Sequence, residues 1–416
     1  MEEEMKLRYK FKEVVFSALV VMLSACGSAS NSGPVDGSTL LVFENNQSAD
    51  VVIGQDAMDK DENGTTANRF VGYLYGSPYV YNGQLFIPDY DGNRVLVYDT
   101  IPTENNASAD YVIGQVDLNT SSYGTEKNKL NGPQTVIISD GKLFITDYDN
   151  NRVLIYNTIP QENNASADVV VGQADFNTSN SSCSAYGLYE LESISVVDGK
   201  LLIADSSNNR VLIYNTIPTE NNASADIVLG QDSFTTCASN DDDQNGTSDA
   251  NPTARTLNYP AGIWSDGEKL VVNDSDNHRA LIWEHFPTNN FTPADIVLGQ
   301  SQFDMNQSND DNQDGIEGRY PTSRTFTLPY DGVTSDGTQL FVADFGSDRV
   351  LIWNSFPTAN FTPADVILGE PSEEVNASCV DPAANRFCGP NGLFLSGDKL
   401  IVTDNGNKRA LIFTAK

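Results

Sequence analysis

The chain has almost no histidine: two residues, His278 and His285, among 416. Neither sits in a pattern that would make a nucleophilic triad or a zinc centre, both of which need partners at set positions, so no catalytic residue is expected from this source. Basic residues are also scarce. Lys and Arg number 24 against 57 Asp and Glu, giving a formal charge of −33. A surface of that sign repels phosphate backbones, which argues against nucleic acid as a partner. Neither a phosphate-binding P-loop nor a dinucleotide-binding glycine fingerprint occurs. The longest apolar stretch, from Val14 to Leu23, covers ten residues, where a membrane-spanning helix needs about 20. What is present is 39% hydrophobic content with 17 Tyr and 19 Phe, enough to bury a core and unlike a disordered chain.

That apolar stretch follows a basic segment, Lys6 to Lys12, and ends in "LSAC" at Cys26. A basic start, a short apolar centre and small residues before a cleavage point are the parts of an export signal. "LSAC" resembles the bacterial lipobox, which implies cleavage before Cys26 and lipid on its thiol. In that family's sorting pattern Asp after the cysteine favours the inner membrane, and Gly27 stands there instead, which points to the outer membrane. Residues 1–25 are therefore read as a lipoprotein signal peptide and 26–38 as a flexible tether. Residues 39–416 are the folded domain, at the bacterial cell envelope, with the membrane as a partner through the lipid on Cys26. Four cysteines remain, and an even count in an exported chain suggests disulfides. "CVDPAANRFC" closes a short loop between Cys379 and Cys388, while Cys183 and Cys237 occupy similar positions in successive repeats.

Eleven residues, "NNRVLIYNTIP", are spelled twice, at Asn150 and again at Asn208. They belong to a longer unit present six times, anchored by aspartates at 89, 147, 205, 274, 344 and 404, with spacings of 58, 58, 69, 70 and 60 residues. Repeats of this size mean a solenoid, an array or a propeller. Each unit reads as four short strands rich in β-branched residues and separated by Gly, Asp, Asn and Pro turns: "GPQTVIIS" (A), "KLFITD" (B), "RVLIYN" (C) and "ADVVVGQ" (D). One such unit cannot bury both of its faces, so the copies must pack on each other, and radial closure gives an all-β, six-bladed β-propeller. The chain stops at strand C of the sixth unit, and the missing strand D is spelled before the first unit, at Ala49–Gln55. The N-terminal strand is thus expected to complete the last blade and close the ring.

"VNDSDNHRALIW", from Val272 to Trp283, resembles the NHL repeat, with Arg279 after His278. All six units match at the Asp, the turn and the Arg. The resemblance implies a six-bladed propeller and no single activity, since that architecture hosts many. The amidating lyase among NHL-like propellers depends on a set of histidines that this chain lacks, the motifs of the calcium-holding lactonases are not matched, and RNA-binding NHL domains use a basic face. Asp and Arg recur five apart: Asp89 and Arg94, Asp147 and Arg152, Asp205 and Arg210, Asp274 and Arg279, Asp344 and Arg349, Asp404 and Arg409. A catalytic pair is needed once, so sixfold recurrence marks these as structural, a carboxylate bonding turn amides and a guanidinium.

Three D-to-A connections carry D-x-[DN]-x-[DN]-G. The oxygen-bearing positions are Asp59, Asp61 and Asn63 in the first, Asp241, Asp243 and Asn245 in the second, and Asp310, Asn312 and Asp314 in the third. Alternate oxygens in such a loop converge on a hard cation, which makes calcium the expected metal. No Glu stands at the twelfth position, so these are not EF-hands. In an up-and-down blade the D–A and B–C connections share one face, and that loop-rich face is the candidate surface. The strand-A starts "PAGIW", "PYDGV", "PQTVI" and "PNGLF" are mostly apolar or small, which favours a non-enzymatic platform for a protein or glycan. The alternative is a hydrolase or lyase, lactonase-like, acting at the central channel. Cys26→Ser is expected to abolish lipid labelling and release the protein into the soluble fraction; unchanged membrane fractionation would refute the lipobox reading.

Overall fold

The computed structural model describes residues 40–372, 379 and 381–416; the leader, Cys26 and the whole of the tether lie outside them. Six four-stranded antiparallel sheets follow one another along the chain as the blades of a ring. Blade 2 is representative, with strand A at Pro133–Ser139, B at Lys142–Asp147, C at Arg152–Tyr156 and D at Val169–Val171. The strands are short, and both faces of B and C are buried, because each sheet is packed between two neighbours. Their composition follows: continuous Val, Ile, Leu and Phe where a half-exposed strand would alternate. Apolar clusters sit between successive blades, such as Phe86, Val95 and Val97 of blade 1 against Val136, Ile145 and Leu154 of blade 2.

The ring closes as the sequence requires. Val51–Ile53 pairs antiparallel with Arg409–Thr414, adding the outer strand to blade 6. Closure covers the edge that Arg409–Thr414 would otherwise leave open and gives blade 6 its fourth strand. Asparagines of the "NNAS" connections add a second inter-blade link. Asn163 accepts the Val112 amide and Asn221 the Val170 amide, each reaching strand D of the preceding blade at 2.8 and 3.0 Å. The following asparagines, Asn164 and Asn222, hold φ of 63° and 60°, a left-handed turn that Asn tolerates. Disulfides join Cys183 to Cys237, tying the connections that follow blades 2 and 3, and Cys379 to Cys388 ahead of strand A of blade 6.

The six Asp–Arg pairs are each fully buried at a B–C turn, with Nε to Oδ2 distances of 2.6–2.8 Å: Arg94 on Asp89, Arg152 on Asp147, Arg210 on Asp205, Arg279 on Asp274, Arg349 on Asp344 and Arg409 on Asp404. The remaining guanidinium nitrogens are spent on backbone. Arg94 donates to the carbonyls of Thr66, Arg69 and Leu118. Arg210 donates to those of Ser184, Gly187 and Phe234, and Arg349 to those of Thr322 and Thr325. These arginines are therefore scaffold and offer no charge to a ligand, as their sixfold recurrence implied.

In blade 2, Arg152 donates to the carbonyls of Thr125 and Lys129, ahead of the blade, and of Phe176, beyond it. Asp147 accepts the Asn131 amide and the Asn150 side chain. One ion pair therefore ties a hairpin to both flanking connections. Burial pushes the Asp147 carboxyl up despite the opposing pull of Arg152, which shows how dry the pair is. Arg152→Ala strands that carboxylate and three carbonyls, and is expected to destabilise by roughly 3–5 kcal/mol, read as a loss in denaturation midpoint. A midpoint shift near zero would refute the structural role.

Candidate functional site

The inner ends of the A strands line the propeller axis, and β-bulges aim their side chains. In blade 2, Pro133 pairs with Asp147 and Val136 with Ile145, so Gln134 and Thr135 leave the ladder. Blades 4 and 6 do the same with Ala261–Gly262 and Asn391–Gly392. Blade 5 skips one residue more, Tyr330 to Gly332, between Pro329 and Val333. That extra residue carries Asp331 across the axis. Its carboxylate accepts bonds from Ser77 of blade 1 and Ser193 of blade 3, and lies 3.3 Å from Thr135 Oγ1 of blade 2. Only glycine fits where neighbouring strands touch here: a Cβ on Gly76 would stand 1.8 Å from the Gln134 carbonyl oxygen, and one on Gly392 2.1 Å from that of Gly76. Blades 1, 2 and 6 therefore meet backbone to backbone at their inner ends.

Blade 3 contributes Glu192, just ahead of its strand A (Ile194–Val197). It is 4% exposed. The Tyr259 hydroxyl donates to Oε1 at 2.7 Å, and the Gln134 amide provides a further bond. Burial, with Asp331 and Glu190 adding negative charge, pushes the carboxyl up to about 8. Asp331, 2% exposed, is pushed up to about 6 by burial, against its hydroxyl partners. Neither acid has a cationic partner among the described residues.

Aromatic rings wall the space around Glu192 on the loop-rich face. The residue after each B-strand aspartate opens the B–C turn, and in three blades it is Tyr90, Tyr148 or Phe345; the connections and bulges add Tyr75, Tyr259 and Tyr330. Ring centroids are 5.1 Å apart for Tyr75–Tyr90, 6.0 Å for Tyr90–Tyr148, 6.1 Å for Tyr259–Tyr330 and 4.9 Å for Tyr330–Phe345. The hydroxyls of Tyr148 and Tyr259 are 3.1 Å apart, and Asn405 of blade 6 bonds Tyr75. All six rings are half-buried. The Glu192 charge adds to the upward push on each of the five tyrosines, and Tyr259 touches it directly. Burial is the first cause in each of these five, with Glu192 reinforcing it.

The acidic loops lie on the same face, outside this well. Asp241, Asp243 and Asp249 bring carboxylate oxygens within 4.8 Å of one another; Asp249 was not singled out in the sequence, although it falls at the ninth loop position. Asp241 is buried and accepts the amides of Asn245 and Gly246, and Asp310 likewise those of Asp314 and Gly315. Asn245 accepts the Thr247 amide and Asn312 that of Asp314. These donor sets suit a hard cation. Asp59, Asp61 and Asn63 are all exposed. His278 has a structural place. Its Nδ1 accepts the Leu328 amide of the next blade at 3.0 Å, as Asn93 and Asn151 accept equivalent amides; His285 is exposed on a C–D connection.

The sequence reading missed Glu192 and Asp331. Two signals for them stand in the sequence: the extra residue in "PYDGV" and the acid in "LESIS". No family model matches the chain, and no curated protein matches it. Among solved structures the chain is similar to virginiamycin B lyase of Staphylococcus aureus crystallised with quinupristin, at 10% identity over 88% of this chain and 98% of that one, TM-score 0.42. It is similar to a protein of unknown function from Bacteroides thetaiotaomicron, at 9% identity over 89% and 75%, TM-score 0.46. A streptogramin B lyase matches at 10% identity over 87% and 96%, TM-score 0.40. These are likenesses of architecture.

Because Glu192 binds its proton more tightly folded than unfolded, its contribution to stability is full below its ordinary value of 4.5 and is lost as pH rises through about 8. Glu192→Gln keeps an acceptor for Tyr259 and removes that loss. The variant's melting temperature is expected to exceed the parent's by several degrees near pH 9, with the gain vanishing near pH 4. A pH-independent difference would refute the assignment.

Proposed function

We propose that the protein is a non-enzymatic binding platform, an NHL-type propeller tethered by lipid on Cys26 to the bacterial outer membrane, engaging a protein or glycan through its loop-rich face. The carrying observation is where exposed aromatic side chains lie. Tyr73, Tyr123, Tyr186, Tyr189 and Tyr320 are the large exposed aromatics among the described residues, and all five stand on D–A connections, with Val116 and Ile316 beside them. Tyrosine offers wide contact area with few rotatable bonds and a polar tip, the chemistry of recognition surfaces. A rigid ring holds these loops in place, as scaffolds for binding commonly do.

Calcium is proposed to stiffen the acidic loops, foremost at Asp241, Asp243 and Asn245 with Asp249, then at Asp310, Asn312 and Asp314, and more weakly at Asp59, Asp61 and Asn63. Without a bidentate Glu at the loop's end the dissociation constants should fall at roughly 10⁻⁴–10⁻³ M. A second reading, an exported lyase or hydrolase working at the axis, is favoured by Glu192, a carboxyl that carries its proton near neutral pH beside a tyrosine hydroxyl, as a general acid would.

Capture from envelope extract, with and without calcium, tests the platform. The triple variant Tyr123→Ala, Tyr189→Ala, Tyr320→Ala is expected to lose the bound material and keep the parent's melting temperature; equal capture by the variant would overturn the reading. Calorimetry with calcium should show heat that drops by about one site's share in Asp241→Asn with Asp243→Asn. No heat, and a melting temperature indifferent to chelator, would reduce the loops to solvated turns.

A further inference from the structure

We propose that the axial well binds an N–H-bearing organic cation, an ammonium or guanidinium group, seated between the rings of Tyr75, Tyr90, Tyr148, Tyr259, Tyr330 and Phe345 and paired with Glu192. The inference rests on the loop-rich face being the binding surface, and it names the chemistry taken at that face's centre.

Three independent features converge on it. The first is charge. The leading charges acting on Glu192 are Asp331 and Glu190, and those acting on the surrounding tyrosines are Asp91, Asp149, Asp276, Glu190 and Glu192 itself; every one is acidic. Surrounding acids with no internal cation give this part of the fold a negative potential that attracts an incoming cation. The second is the wall. Aromatic faces carry negative potential, and cations lie over them within about 6 Å of the ring centre. All six rings are half-buried, so each keeps accessible surface, and close backbone approach at Gly76 and Gly392 brings blades 1, 2 and 6 together beside them.

The third is a pair of unpartnered acceptors. Gln134 Oε1 and Asn405 Oδ1 find no hydrogen-bond donor, although these residues are 3% and 2% exposed. Gln134 is bonded through its amide to Glu192, and Asn405 to Tyr75, so both belong to the wall. Buried acceptors without donors are rare and ask for an explanation. A quaternary ammonium would leave them unsatisfied; a primary ammonium or guanidinium supplies three to five donors. Free Glu192 holds its proton near neutral pH, and the groups facing it are Tyr259, Gln134, Asp331, Glu190 and the rings of Tyr75, Tyr90, Tyr148 and Tyr330. None of these is cationic. An arriving cation therefore displaces the Glu192 proton to solvent, leaving the carboxylate paired, and affinity should rise with pH up to about 8.

The test is calorimetry on the folded mature chain with n-butylammonium, tetramethylammonium and the peptide Gly-Gly-Lys-Gly-Gly, in two buffers of different ionisation enthalpy. Butylammonium or the lysine peptide should bind, with proton release and with tetramethylammonium weaker by about tenfold or more. A tighter peptide identifies the source as a partner's side chain, and a tighter butylammonium as a free amine; either supports the proposal. Glu192→Gln should weaken binding by tenfold or more and abolish proton release, and Tyr330→Leu should weaken it while leaving release intact. Absence of binding by every cation at millimolar concentration, or binding indifferent to both variants, would overturn the proposal. Should capture through Tyr123, Tyr189 and Tyr320 persist in that case, the platform stands and this inference alone falls.

Discussion

Everything in this fold hangs on a buried ion pair used six times. A propeller blade is a small sheet whose own contacts do not fix where its connections run, and long connections are where these blades would otherwise lose definition. The arginine reaches carbonyls of the neighbouring connections while the aspartate takes up an amide of the connection ahead of strand A and, in most blades, a side chain of its own turn, so the charge is spread over several hydrogen bonds. Dehydration still opposes it: each carboxyl is raised by burial in spite of its guanidinium. The pair is retained for the geometry it imposes. Its last copy makes this plain, for Arg409 donates to the Met58 carbonyl near the other end of the chain and to those of Ala383 and Arg386. The same device that holds each blade also holds the seam.

On this regular frame the centre departs from sixfold symmetry. The residue after the B-strand aspartate is Tyr90, Tyr148, Ser206, Ser275, Phe345 or Asn405 in turn. Where a serine stands, a tyrosine from an adjoining connection or bulge can lie over it: Ser206 donates to the Pro260 carbonyl directly beside Tyr259. Bulges supply the remaining asymmetry by releasing two or three residues from the ladder at the point nearest the axis. Repetition thus gives rigidity, and the places where repetition fails give a site.

The blade count, the four strands, the borrowed outer strand and the Cys379–Cys388 pairing could be read from spacing and pattern, because each depends on residues close in sequence or on a periodic register, whereas the pairing of Cys183 with Cys237 across 54 residues was left to the structure. The Asp–Arg pairs were legible for the same reason: five residues apart on a hairpin, they meet whatever the rest of the chain does. Glu192 and Asp331 were not. Their neighbours, Tyr259 and Thr135, are 67 and 196 residues away, and no local period says which way a bulged side chain points. The sequence by itself determined a closed ring of six blades, since hydrophobic strands that cannot be covered alone must cover one another. Tertiary structure alone decided what stands at the axis, since only closure brings the inner ends of different blades to one point, where burial raises the carboxyls of two ordinary acids, Glu192 further than Asp331.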